Sequence, residues 1–243
     1  MVAEPAAAGA GRAADTATLA ALPLVRLLQL ASPSLPIGAY SYSQGLEWAV
    51  EAGTVRDAAS AQAWIGDLLA FVVARGEAAI AWRLLRTAGV DWLAVGRWNA
   101  WFRASRETAE LRAETEQTGA SLARLAGDLA LLDAPARDAL PGLSPITLPA
   151  AFALAARGFA IPAEAALAAY VFAWLENQVL AALKLVPLGQ VAGQRMLAAL
   201  AATIPAVVAT AAGLADDDVA TFAPGFALAC ARHETQYTRL FRS

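Results

Sequence analysis

An all-α fold, a single-domain bundle of about 8–11 helices, is what the chain predicts. Three observations carry that reading. Ala, the strongest helix former, makes up about a quarter of the chain. Apolar residues recur every three to four positions in one segment after another, the spacing of a buried helix face. No stretch alternates apolar and polar residues well enough for a half-buried strand.

The elements follow in order. Residues 1–18 form an Ala/Gly/Pro-rich tail, expected to be disordered, and residues 19–243 form the helical domain. Leu24–Leu30 has helical spacing, with Pro23 suited to a first turn. Pro33, Pro36 and Gly38 break it into a rigid loop. A helix is expected to resume near Tyr42 and to stop at Gly53. Ser60 is placed as the cap of a long helix through Trp64, Leu68, Phe71 and Val72, continuing towards Leu85. Asp91–Phe102 is aromatic-rich. In the polar stretch Arg103–Leu125, Arg103 with Glu107 and Arg106 with Glu110 are spaced as i,i+4 pairs of a solvent-facing helix. The prolines of Asp133–Pro149 mark a loop within the one domain. Pro162 opens a long helix that reaches Lys184 and ends at Val186–Gly189. Gln190–Ala202 and Val207–Leu214 read as two helices broken near Ile204 and Pro205, and Asp217 or Asp218 is placed as the cap of a last helix.

Composition narrows the chemistry. Hydrophobic types are 58 % of the chain and charged types 16 %, against roughly 45–50 % and about 25 % in an ordinary soluble domain. The most apolar run, Met196–Ala215, carries Pro205 at its middle and thin basic flanks, so it reads as buried helices and no membrane span is expected. The start of the chain lacks the basic-then-apolar pattern of a secretory signal, so a cytoplasmic location is expected. One cysteine, Cys230, excludes a disulfide framework within the chain, and one histidine, His233, excludes multi-His metal sites. A net charge of -3 with scattered arginines argues against nucleic acid as a partner. There is no P-loop, no nucleotide-binding glycine motif after a strand, and no nucleophile elbow. No cofactor, catalytic residue or metal ligand set is assigned. A nickel-binding alternative would have to use Cys230, His233 and Glu234.

Two features resist a packing explanation. Asn177, Gln178 and Lys184 interrupt an apolar helix, either facing solvent or an internal network or forming a polar docking face. Arg232–Ser243 mixes Arg, Tyr, Leu and Phe, types suited to an interface, and is either a helix packed on its own domain or a segment that docks a partner.

Four segments together resemble the family of the urease accessory protein UreF. They are Ser32–Glu47 (SPSLPIGAYSYSQGLE), Ser105–Thr108 with Leu111 and Arg112, Leu183–Gln190 with Gly193, Gln194 and Arg195, and Arg232–Tyr237 with Arg239–Ser243. The resemblance runs over about residues 24–243, with Thr238 in place of an expected serine. It implies an all-α protein, not itself an enzyme, that acts as an adaptor in urease maturation. The implied partners are UreD (also called UreH), the GTPase UreG and apo-urease, with a homodimer in the assembly. By match to the motifs, the candidate partner-binding residues are Ser41, Tyr42, Ser43, Gln44 and Glu47 in the first, Lys184, Gln190 and Arg195 in the third, and Arg232, His233, Glu234, Gln236, Tyr237, Arg239, Leu240, Phe241 and Arg242 in the docking segment 232–243. The first and last sets point towards UreD, and Lys184 towards the surface that faces or regulates UreG.

Overall fold

The computed structural model describes residues 20–221 and 223–243. The expected tail, residues 1–18, lies outside them. Among the described residues there are helices and no strand. The first helix, α1 (Ala21–Ala31), ends where Ser32 turns extended, and a single 3-10 turn (Ala39–Ser41) follows the proline-rich loop.

The next helix, α2 (Leu46–Glu51), begins four residues later than the pattern near Tyr42 predicts. The delay has a local cause. Gln44 and Gly45 both take left-handed backbone angles, φ 52° and 76°, which no helix can pass through. The stop at Gly53 is where it was expected, at φ 72°.

One continuous rod then runs from Ala58 to Thr87: α3 (Ala58–Asp67), a π-helical stretch (Leu68–Glu77) and α4 (Ala78–Thr87). Its cap is Asp57, whose carboxylate accepts from Ser60 N at 2.8 Å while Ser60 Oγ accepts from Asp57 N at 3.1 Å. Ser60 is thus the reciprocal partner of a capping box rather than the cap itself. The wider π turn brings both Gly76 and Glu77 into the interior, and Glu77 is 6 % exposed.

Helix α5 (Trp92–Ala104) starts on Asp91, and α6 (Ala109–Asp128) starts on Thr108, whose hydroxyl accepts from Leu111 N at 3.1 Å. That break corrects the expected ion pairs. Arg103 and Glu107, like Arg106 and Glu110, lie on opposite sides of a turn and not on one helix. Arg103 binds Glu116 at 2.6 Å, and Arg106 is buried.

The proline-rich connection contains α7 (Ala134–Ala139) and a second 3-10 turn, and leads into α8 (Leu148–Gly158). Helix α8 lies close along α6 at Gly119, where any side chain would strike the backbone of Ile146–Leu148.

Helix α9 (Ala163–Leu185) is the central column, packed against α1, α2, α4, α10 (Gln190–Ala201) and α11 (Ile204–Gly213). Leu167, Val171 and Leu175 on it are fully buried, and each contributes roughly 1.5–3 kcal/mol by leaving water. At the third motif, Gly193 of α10 admits the Leu183 side chain of α9, so this motif is in part a helix-pairing device. Among the described residues, two helical stretches, Ala163–Leu185 and Gln190–Gly213, are long and apolar enough to cross a membrane by composition alone. The first packs within the bundle, and the second turns at Ala202–Thr203 just before Pro205. The last helix, α12 (Pro224–His233), begins on Pro224, six residues beyond Asp218. Asp216–Asp218 forms a separate 3-10 turn instead of the expected cap, and Asp216 pairs there with Arg83 at 2.7 Å.

Candidate functional site

Helix α12 stops at His233, and the ten residues after it are not helical. They run back across the start of α2 as a strap held at three levels. At its root, the His233 ring sits between two carboxylates, Nδ1 on Glu110 at 2.7 Å and Nε2 on Glu47 at 3.2 Å. Both ring nitrogens face carboxylate oxygens, so whichever nitrogen carries the proton has an acceptor. Arg239 pairs with Glu110 as well, and Glu110 N donates to Glu234 at 3.2 Å, close to the start of α6.

In the middle, Glu47 accepts from the backbone of the strap, from Leu240 N at 2.5 Å and Phe241 N at 2.9 Å. The Phe241 ring turns inward and lies 5.3 Å from the Lys184 ammonium, a cation–π contact. At the end, Ser243 is enclosed. Its backbone oxygen accepts from Ser43 N (2.6 Å), Gln44 N (3.0 Å) and Ser43 Oγ (2.6 Å), and its hydroxyl donates to Glu114 at 2.8 Å. Arg242 N donates to Ser41 O at 2.8 Å.

Behind the strap lies a buried polar cluster. Glu77 accepts from the Tyr170 hydroxyl at 2.5 Å and faces Arg106 Nη1 at 3.4 Å. The Arg106 guanidinium also lies 4.2 Å from the centre of the Phe102 ring. Glu114 accepts from Gln44 Nε2 at 2.8 Å, and Gln44 Oε1 in turn accepts from Trp174 Nε1 at 2.8 Å. This two-ended grip holds Gln44 in its left-handed conformation. A cavity of about 80 Å³ opens among Gln44, Glu77, Arg106, Glu114 and Trp174, room for more than one water molecule. Arg106 Nε is buried there with no protein partner. Burial pushes the Glu114 carboxyl up to about 7 against the pull of its two donors, and burial with Glu77 beside it raises the Tyr170 hydroxyl well above its usual range. Burial also raises the Cys230 thiol strongly, which keeps it protonated and unreactive.

The first and fourth motifs therefore meet in one place, through Glu47 and His233, with Glu110 joining from beside the second, and the third joins through Lys184. The predicted contact residues divide sharply. Tyr42, Ser43, Glu47, His233 and Phe241 are buried and hold the strap, so as the chain is folded they are anchors and not free surface. His233 in particular is fully enclosed. Arg232, Glu234, Tyr237, Arg239, Leu240 and Arg242 face outward, with Tyr237 fully exposed and Leu240 65 % exposed. Ser41 and Gln236 are half-buried, and Gln44 faces the cavity. Gln190 and Arg195 are exposed on α10.

The nickel-ligand alternative loses its geometry. Cys230 Sγ lies beside Gly45, Glu234 reaches Glu110 N, and both His233 nitrogens are engaged by carboxylates. Among the described residues no group of three potential ligands is placed to hold a metal ion. Asn177 donates to Tyr42 O at 3.0 Å, while Gln178 is fully buried in the core with neither amide atom partnered, so only Lys184 of that trio is exposed. Glu77, Glu114 and Tyr170 carry no site signal of their own in the sequence, and Glu110 reads there only as a surface partner of Arg106. Their clue was a set of carboxylates on otherwise apolar or mixed helices, which acquires meaning only once the strap brings partners to them.

Gly45 is the hinge of this arrangement. A Cβ there would lie 3.0 Å from Cys230 Sγ and 3.1 Å from Cys230 N, and the φ of 76° already disfavours a side chain. Gly45→Ala is expected to destabilise the fold by roughly 2 kcal/mol and to lift α12 from α2, read as a lowered midpoint in urea unfolding.

Comparison with known proteins bears on what this site belongs to. Residues 55–201 match the family model described as UreF. The urease accessory protein UreF of Azoarcus sp. (strain BH72) is 58 % identical over 225 residues, 91 % of this chain and 96 % of that protein. The one from Bordetella parapertussis is 57 % identical over 225 residues, covering 89 % of this chain and all of the relative. A bifunctional urease accessory protein UreEF of Bordetella bronchiseptica is 56 % identical over 246 residues, and this chain spans 56 % of its length. With the family model covering more than half of the chain and relatives matching nearly all of it, the chain belongs to the UreF family of urease accessory proteins.

Proposed function

We propose that this chain is a non-enzymatic scaffold of urease maturation in the cytoplasm. In this reading it docks UreD (UreH) through the strap and the loop beneath it. As a homodimer it then recruits and regulates the GTPase UreG, and the assembly engages apo-urease for nickel insertion. Nucleic acid and membrane have no part in it. One observation carries the reading: the strap is fixed from below by buried carboxylates, while its outer face presents Tyr237, Leu240, Arg239 and Arg242 to solvent. A preorganised segment loses less freedom on binding than a loose one, and Tyr, Leu and Arg in an apolar, low-charge frame suit an interface core.

The test uses outward residues alone. Tyr237→Ala and Leu240→Ala remove exposed side chains, so the unfolding midpoint is expected to stay within about 0.5 kcal/mol of the parent. Co-purification with UreD is expected to weaken at least about tenfold in each, the mark of an interface hot spot, and UreG recruitment to fall with it. Full-strength capture of UreD by both variants would remove the strap from the docking surface.

A further inference from the structure

We propose that Glu114 is a proton-operated catch for the end of the strap: its protonated carboxyl keeps Ser243 seated against it, and its ionisation favours the open strap. The geometry supplies the argument. Glu114 stands between the cavity on one side and Ser243 on the other, and Ser243 is itself 2 % exposed, so the strap end is part of what separates this carboxyl from water.

The charges around it do not balance. From the π stretch comes Glu77 and from the turn before α6 comes Arg106, already facing Glu77 at 3.4 Å. Tyr170 on α9, Tyr42 in the loop and Cys230 on α12 are the other titratable neighbours, with Gln44 and Ser243 as direct neutral donors and Arg242 alongside Tyr42. Two carboxylates thus share one guanidinium, and a second negative charge in this enclosure has no cation of its own.

Opening the last residues of the strap would expose Glu114 to bulk water and relieve that charge. The closed form therefore holds the proton more tightly than the open one, and raising the pH shifts the balance towards opening. The closed carboxyl sits at about 7, and an open, hydrated one returns towards the ordinary 4.5. The limit of the effect is then roughly a 300-fold rise in the opening constant between those two values, levelling off above the higher one. Gln44 and Ser243 donate to the carboxylate and oppose the shift, but burial outweighs them.

The test is backbone hydrogen exchange in the full chain, corrected for the intrinsic rate, at about pH 5 and about pH 8. Protection at Leu240, Phe241 and Arg242, whose amides are bonded in the closed strap, is expected to fall at least about tenfold at the higher pH. Glu114→Gln keeps the size and one acceptor oxygen but cannot ionise, so its strap is expected to hold the same protection at both. The His233 clamp is present in both proteins and cancels in the comparison. Equal protection at the two pH values in the parent, or the parent's pH dependence persisting in Glu114→Gln, would overturn the proposal. Should that variant fail to fold, carboxyl-carbon NMR of the parent decides. A glutamate titrating near 7 together with the strap amides supports the catch, and every glutamate titrating near 4.5 overturns it.

Discussion

Replacing Glu47 with alanine is expected to cost roughly 3–5 kcal/mol of stability and to free the strap, the largest single effect at this site. Glu47 is 7 % exposed and accepts from two strap amides and from the His233 ring. Its removal leaves two backbone donors and Nε2 of His233 without their acceptor, while Nδ1 keeps Glu110, and an unmade buried hydrogen bond costs more than a made one contributes. Urea unfolding measures the first part. Hydrogen exchange at Leu240 and Phe241 measures the second, and both amides should approach the rate of an unstructured chain. Glu47→Gln keeps one carbonyl acceptor but turns an amide group towards donors, so it should fall between the two. A Glu47→Ala protein with a protected strap would mean that Ser243 and Phe241 alone hold it down.

Arg106→Met is expected to be of similar size, about 3–5 kcal/mol at neutral pH, because it leaves a buried carboxylate without its cation. Arg106 is 5 % exposed, and Met replaces much of its stem against Phe102 while removing the charge that offsets Glu77 and Glu114. The loss should shrink towards pH 5, where a protonated Glu114 no longer needs a counter-charge. The sign follows from Glu114, whose folded form titrates at about 7 against an ordinary 4.5. The folded state holds the extra proton in that window, so stability falls as the pH rises through it, and falls further without Arg106. Denaturant midpoints of parent and variant across that range provide the check.

The helices were legible because their causes are local. Pro162 before α9, Gly53 after α2 and Pro205 within α11 act through backbone angles that one residue sets alone. The helix starts at Ala58 and Ala109 were less legible, since Asp57, Ser60 and Thr108 all offer cap oxygens and geometry selects among them. The site was legible only as a set of suspects. The residues of the loop and the strap were found, but not their division into anchors and outward groups, because that depends on which carboxylates lie beneath. Arg106 shows the reason most plainly. Its sequence spacing to Glu110 suggests a surface pair, yet the Thr108 cap breaks the helix between them and turns the guanidinium to Glu77, 29 residues back.

The closure of Ser43 upon Ser243 joins positions 200 residues apart. During synthesis, at about 5–20 residues per second, the loop at Ser41–Glu47 must wait roughly 10–40 s for the strap that completes it. Local helices can form long before then, while the surface made by loop and strap cannot exist on a nascent or truncated chain. On a chain stopped before the strap, the buried Glu47 carboxylate and the Ser43 hydroxyl would lack the groups that satisfy them here, so this corner of the fold closes last.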